Sequence, residues 1–87
     1  MADRTLTVTV ISPEETLFSG AARAVFLPGA VAPFEVLPGH APIISALAAG
    51  EIVIRDDSGA ERRISVRSGV VKVSRDKLVA CIEVKQK

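Results

Sequence analysis

Threonine and aliphatic side chains alternate without a break along residues 5–10, with Thr5, Thr7 and Thr9 interleaved between Leu6, Val8 and Val10. In a strand successive side chains point to opposite faces, so a period of two predicts a strand with one apolar face. The same reading applies to Ile64 and Val66, which alternate with Arg63, Ser65 and Arg67. It applies again to Leu78, Ala80, Ile82 and Val84, which alternate with Val79, Cys81, Glu83 and Lys85. Twelve Val, seven Ile and four Thr reinforce the pattern, because β-branched side chains fit a pleated surface better than a helix.

Turn signals divide the chain evenly. Gly20, Gly29, Gly39, Gly50, Gly59 and Gly69 fall every nine to eleven residues, the spacing of many short strands in a sandwich or barrel. Asp56-Asp57-Ser58-Gly59 predicts one hairpin turn. Arg75-Asp76-Lys77 predicts another, in which Asp76 bonds its own backbone and tolerates a turn conformation. The predicted strands lie near 4–11, 16–19, 22–28, 33–37, 42–47, 51–56, 61–67, 70–74 and 77–85. At 42–47 the alanines before Gly50 leave a short helical turn open as the alternative. The expectation is an all-β fold: residues 1–87 form a single flattened β-sandwich of about nine to ten short strands, a meander with some crossing between two sheets.

Composition narrows the function. With 11 Lys+Arg against 10 Asp+Glu and a net charge of +1, nothing steers the chain to nucleic acid. Phe18, Phe26 and Phe34 are the only aromatic residues, too few for stacking on single-stranded bases. Cys81 and His40 are the only residues of their types. They leave no internal disulfide, no zinc set and no nucleophilic triad, so no cofactor, metal or catalytic residue is expected. A free thiol fits a reducing compartment. The start of the chain lacks the basic and apolar regions of a signal peptide, and no run of about 20 apolar residues is present to cross a membrane.

Charge is also unevenly placed. Residues 24–50 carry one formal charge, Glu35, whereas residues 51–87 carry fifteen. The quiet stretch holds Pro28, Pro33, Pro38 and Pro42, and proline belongs to strand edges and loops. Apolar, uncharged loops face a partner or fold over the end of a small core, and the residues alone leave both readings open. The most specific run is Leu37-Pro38-Gly39-His40-Ala41-Pro42. Pro38-Gly39 sets a tight turn, since Pro fixes φ and Gly permits φ > 0. Pro42 keeps Ala41 extended, so the loop presents His40 in a fixed direction.

This run resembles the epsilon subunit of F-type ATP synthases (delta in mitochondria), in which a Pro-Gly-His-Ala-Pro loop is a hallmark. Ser12-Pro13-Glu14 and Phe18-Ser19-Gly20 are similar to that family's opening segment, and Gly50-Glu51 and Ser68-Gly69 follow in the same order. The sequence departs from the pattern at Val70, where the family usually has a second glycine. The resemblance implies a non-catalytic central-stalk subunit that binds gamma and the c-ring, turns with the rotor and helps couple proton transport to ATP synthesis. It implies a peripheral membrane protein on the cytoplasmic face of a bacterial plasma membrane, an organellar inner membrane or thylakoid also fitting. Most relatives carry a C-terminal helical hairpin; none is expected within residues 1–87. If residue 87 is the natural end, restraint of ATP hydrolysis by such helices is expected to be absent.

The interface candidates are Gly29, Ala30, Val31, Ala32 and Pro33, which match the family's loop toward the c-ring, and Pro38, Gly39, His40, Ala41 and Pro42. Val31 is open between core and interface, and Phe34 is expected in the core. His40 either bonds a partner or braces its own loop. Arg62, Arg63 and Arg67 are expected on one outward strand face, and Cys81 is expected half-buried. The rival reading is a free-standing sandwich that binds a peptide or small ligand through its apolar loops; an enzyme fits poorly.

Overall fold

In a computed structural model, residues 4–84 are described, and the expected reach of the last strand to residue 85 lies outside them. The strands are β1 (Leu6–Ile11), β2 (Thr16–Ala22), β3 (Ala24–Leu27), β4 (Phe34–Val36), β5 (Ile43–Leu47), β6 (Gly50–Arg55), β7 (Glu61–Ser74) and β8 (Lys77–Val84). The fold is all-β among the described residues. The segment at 42–47 forms a strand and not a helical turn.

Among the described residues eight strands replace the expected nine because 61–67 and 70–74 join as β7. Its buried residues explain why the sequence looks broken there. Ile64 and Val66 face the core, and then so do Val71 and Val73, a change from even to odd numbering. The pairing of β7 with β8 shifts register between Val66 and Ser68. This β-bulge inserts one residue and reverses the alternation without ending the strand.

The long strand links the two halves of an open sheet. Its first part, 61–66, pairs with β6, which continues through β3 to the edge strand β4. Its second part pairs with β5 on one side and β8 on the other. Beyond β8 lie β1, in parallel, and β2, antiparallel to β1. The two halves face one another across a single cluster that includes Leu6, Val8, Val25, Leu27, Ile52, Ile54, Val71 and Leu78, all buried. Burying each such side chain contributes about 1.5–3 kcal/mol. Their contribution depends on this register, because a one-residue slip would turn a strand's apolar set to solvent. No buried side-chain polar atom among the described residues lacks a partner. Phe34 packs against the cluster while remaining partly exposed.

Both predicted hairpin turns form, by different chemistry. Asp56 Oδ1 accepts hydrogen bonds from Ser58 N at 2.9 Å, Ser58 Oγ at 2.7 Å and Ala60 N at 3.1 Å. The Ser58 hydroxyl above all, with the turn amides, holds the Asp56 carboxyl below its ordinary range. Gly59 supplies the positive φ of 88°. In the β7–β8 turn Arg75 and Asp76 have φ of 52° and 62°, both left-handed as a two-residue type I′ hairpin requires. The Asp76 side chain does not bond its own turn: it reaches across to Gly39 and Arg4.

Candidate docking edge and sheet face

The ten candidate residues occupy two loops at opposite ends of β4. Residues 28–33 join β3 to β4, and residues 37–42 carry the chain from β4 to β5, across to the other half of the sheet. They do not gather into one projection. Between them run β4, which pairs with β3, and β5, which pairs with β7.

The 28–33 loop is fastened at its base and free at its tip. Gly29 bridges to Leu47, Ala30 N donates to Ala46 O at 2.9 Å and Ala48 N to Pro28 O at 2.7 Å. Gly29 is buried, and a Cβ there would collide with the Ala32 carbonyl oxygen and stand 2.9 Å from the Phe34 ring. Its place in the site is therefore to let the loop fold tightly. Ala30, Val31, Ala32 and Pro33 are exposed. Val31 has its full surface in solvent, at 102% of the reference, which settles it as outside the core.

The 37–42 loop begins with the predicted turn. His40 N donates to Leu37 O at 3.1 Å, Pro38 occupies the second position and Gly39 the third with φ of 88°, the type II pattern. His40 Nδ1 lies 2.7 Å from Ala41 O. A carbonyl only accepts, so Nδ1 is the donor in this contact. His40 thus braces its own loop through this nitrogen. Gly39, Ala41 and Pro42 are exposed; Pro38 and His40 are half-buried. Gly39 N donates to Asp76 Oδ1 at 2.7 Å, and Arg4 pairs with Asp76 Oδ2 at 2.6 Å. The Gly39 amide first, and the Arg4 guanidinium second, hold the Asp76 carboxyl below its ordinary range.

The two outward sheet faces differ in chemistry. On the β6–β3–β4 half, Arg63 pairs with Glu51 at 3.2 Å and with Glu61 at 3.1 Å, and Arg55 pairs with Glu61 at 3.3 Å. This surface is ionic around an exposed Phe26, and each such pair contributes only about 0–1 kcal/mol. On the β1–β8–β7–β5 half, one outward row runs Ser19, Thr9, Val79, Lys72, Ile44, and the next runs Ile11, Cys81, Val70, Ala46. Lys72 is the only charge in these two rows. Ile44 is 71% exposed, Val70 45% and Val79 41%. Apolar side chains that stand together in solvent on one face mark a surface suited to a partner. Ile44 carries this face out to β5.

Three expectations change here. Cys81 is exposed on this face, not half-buried. Arg62 does not share a face with Arg63, because neighbouring residues of a strand point oppositely; it donates to Leu17 O at 3.3 Å and sits 5.9 Å from the centre of the Phe18 ring. The apolar sheet face itself does not follow from alternation, which assigns one apolar face per strand, and Val70, Val79 and Cys81 belong to the other. The usable signal is that β8 is apolar on both faces from Leu78 to Ile82. Among the described residues no group of three or more His, Cys, Asp or Glu side chains is placed to hold a metal ion.

Together these features define an open β-sandwich that displays two uncharged loops beside a mostly apolar patch of sheet. Residues 5–84 match the family described as ATP synthase, Delta/Epsilon chain, beta-sandwich domain. The chain belongs to that family. It is 42% identical over 69 residues to an ATP synthase epsilon chain of Bordetella petrii, an alignment that covers 79% of this chain and 49% of that one. It is 33% identical over 79 residues to an ATP synthase epsilon chain of Campylobacter fetus, covering 91% and 61%. The chain therefore spans about half to three-fifths of the length of these relatives. Among solved structures, a chain of the Euglena gracilis mitochondrial ATP synthase (OSCP/F1/c-ring, rotational state 1) superposes with a TM-score of 0.85 at 16% identity, over 90% of this chain and 50% of that chain. One from the Tetrahymena thermophila mitochondrial ATP synthase central stalk and c-ring gives 0.75 at 12% identity, over 94% and 66%. At such identities these likenesses concern the fold.

Proposed function

We propose that this chain is a non-catalytic central-stalk subunit of an F-type ATP synthase, joining gamma to the c-ring and helping couple proton transport to ATP synthesis at the membrane. The observation that carries the reading is the family match over residues 5–84. The geometry supports it in two ways. The 28–33 and 37–42 loops carry no formal charge and are pinned at their bases, which keeps the ordering cost of docking low. The Val70–Val79–Ile44 patch holds Lys72 as its one charge, with Lys77 and Glu83 at its margins, whereas charged groups of the other half are engaged in their own ion pairs. We assign the apolar face to gamma and the exposed tip at Val31 to the polar loops of the c-ring.

The rival, a sandwich that binds a small ligand, calls for an enclosed pocket of about 300–1,000 Å³. The surface here supports a broad contact better, because Ile44, Val70 and Val79 lie side by side on a sheet face and Val31 stands at a loop tip. The test is association of the chain with its cognate gamma subunit by gel filtration and calorimetry. A stable equimolar complex is expected; a chain that elutes alone at micromolar concentrations contradicts the assignment.

A further inference from the structure

We propose that Asp76, in the β7–β8 turn, is a positioning residue that fixes the orientation of the Pro38–Gly39 peptide and so the shape in which the 37–42 loop meets its partner. The inference rests on the docking reading above and adds to it a device located 37 residues away in sequence.

The argument begins with the turn. Type I and type II turns share nearly the same four Cα positions and differ by a flip of the central peptide, which changes ψ at the second position and φ at the third. In this loop the central peptide is the one between Pro38 and Gly39, and its N–H is held by Asp76 Oδ1 at 2.7 Å. An acceptor fixed on that side favours the type II orientation and turns the Pro38 carbonyl away from Asp76. Glycine at φ of 88° tolerates that orientation. It does not select it, because glycine populates both signs of φ.

Asp76 is itself held in place on three sides. Its φ of 62° belongs to a two-residue hairpin, its carbonyl oxygen accepts Thr7 N at 2.8 Å, and Arg4 grips its second carboxylate oxygen at 2.6 Å. A hydrogen bond to an ionised carboxylate is stronger than one between neutral groups. The loop's own bonds, His40 N to Leu37 O and His40 Nδ1 to Ala41 O, close the turn without fixing the central peptide. The carboxylate therefore ties the docking loop to the β1–β8 half of the sandwich, the half that carries the apolar face.

Two substitutions separate this role from a structural one. Asp76→Gly removes the carboxylate and tolerates the positive φ, so the hairpin survives. Asp76→Asn keeps a side-chain oxygen for Gly39 N and loses the charge. In the 87-residue chain, amide exchange at Gly39 is expected to accelerate at least about tenfold in Asp76→Gly, with β7 and β8 amides unchanged, and to return most of the way in Asp76→Asn. Affinity for a cognate complex of gamma and c-ring is expected to fall about tenfold in Asp76→Gly, equivalent to about 1.4 kcal/mol, with Asp76→Asn restoring most of it. Unchanged Gly39 exchange overturns the proposal, as does faster exchange with unchanged affinity. Failure of the unaltered chain to bind that complex removes the docking reading instead, and Gly39 exchange then decides separately whether the tie to Asp76 exists.

Discussion

Gly69→Ala is expected to lower the unfolding free energy by about 3 kcal/mol, near the upper end for a single added methyl group in a packed site. A Cβ at Gly69 would stand 2.5 Å from the Cys81 carbonyl oxygen and 2.9 Å from the Ile82 Cα. Both belong to the backbone of β8, which has no rotamer to yield. Room would have to come from displacing β8 from the bulge. That bulge lets β7 send Ile64 and Val66 inward in one half and Val71 and Val73 inward in the other. Disturbing it therefore strains both halves of the core. For a chain of this size about 3 kcal/mol corresponds to a loss of roughly 10–20 °C in Tm, measurable by calorimetry or circular dichroism. A Tm within about 2 °C of the unaltered chain (within about 0.5 kcal/mol) would show that the close approach at the bulge does not govern stability.

The largest functional effect is expected from Val79→Glu. Val79 lies in the outward row between Thr9 and Lys72, and its face carries Ile44, Val70 and Cys81 beside it. In the free chain the new carboxylate remains solvated, since this position is 41% exposed, so folding is little affected. Against an apolar partner surface the same carboxylate loses its water with only the cross-strand Lys72 to pair with it, and an incompletely paired buried charge costs several kcal/mol. The affinity for gamma is expected to drop about 100-fold, with the circular dichroism spectrum and Tm preserved. Lys72 is close enough to offset part of this cost. Val79→Lys, which adds a second cation beside it, should be at least as damaging. Affinity within about threefold of the unaltered chain in both variants would move the gamma contact off this face.

How much of this can be read from the sequence depends on whether a signal is local. The strand faces of β1 and β8 follow directly from alternation, and Leu6, Val8, Val10, Leu78, Ala80 and Ile82 are all buried as that pattern requires. The Pro38-Gly39 turn is equally legible, because Pro and Gly restrict φ by their own covalent structure. The continuity of β7 is hidden, since a bulge and a turn both break the alternation, and Ser68-Gly69 suits either. Asp76 reads in sequence as a residue serving its own hairpin; only the folded chain brings Gly39 and Arg4 to it, across 37 and 72 positions of sequence. The outward apolar face is hidden for a related reason. Val70, Val79 and Cys81 come from β7 and β8, and only the register sets them side by side with Ile44.

The candidate loops give a divided answer. Their lack of charge is visible in the sequence, where Glu35 is the only formal charge between residues 28 and 42. Their separation is not visible there: β4 is only three residues long, yet it places Gly29–Pro33 and Pro38–Pro42 at opposite ends. One partner must span β4 to contact both loops, and two partners can each meet one of them.

Cross-linking from residue 31 in the assembled enzyme tests the central claim most directly. Cys81 is exposed, so it is first replaced by alanine, and a cysteine is then introduced by Val31→Cys. With a short thiol-reactive cross-linker the account predicts a product joining this chain to a subunit of the ring, formed in the intact complex and absent when the ring is removed. A Val31→Cys thiol that remains fully reactive toward a water-soluble maleimide in the intact complex, and joins to neither stalk nor ring, would contradict it.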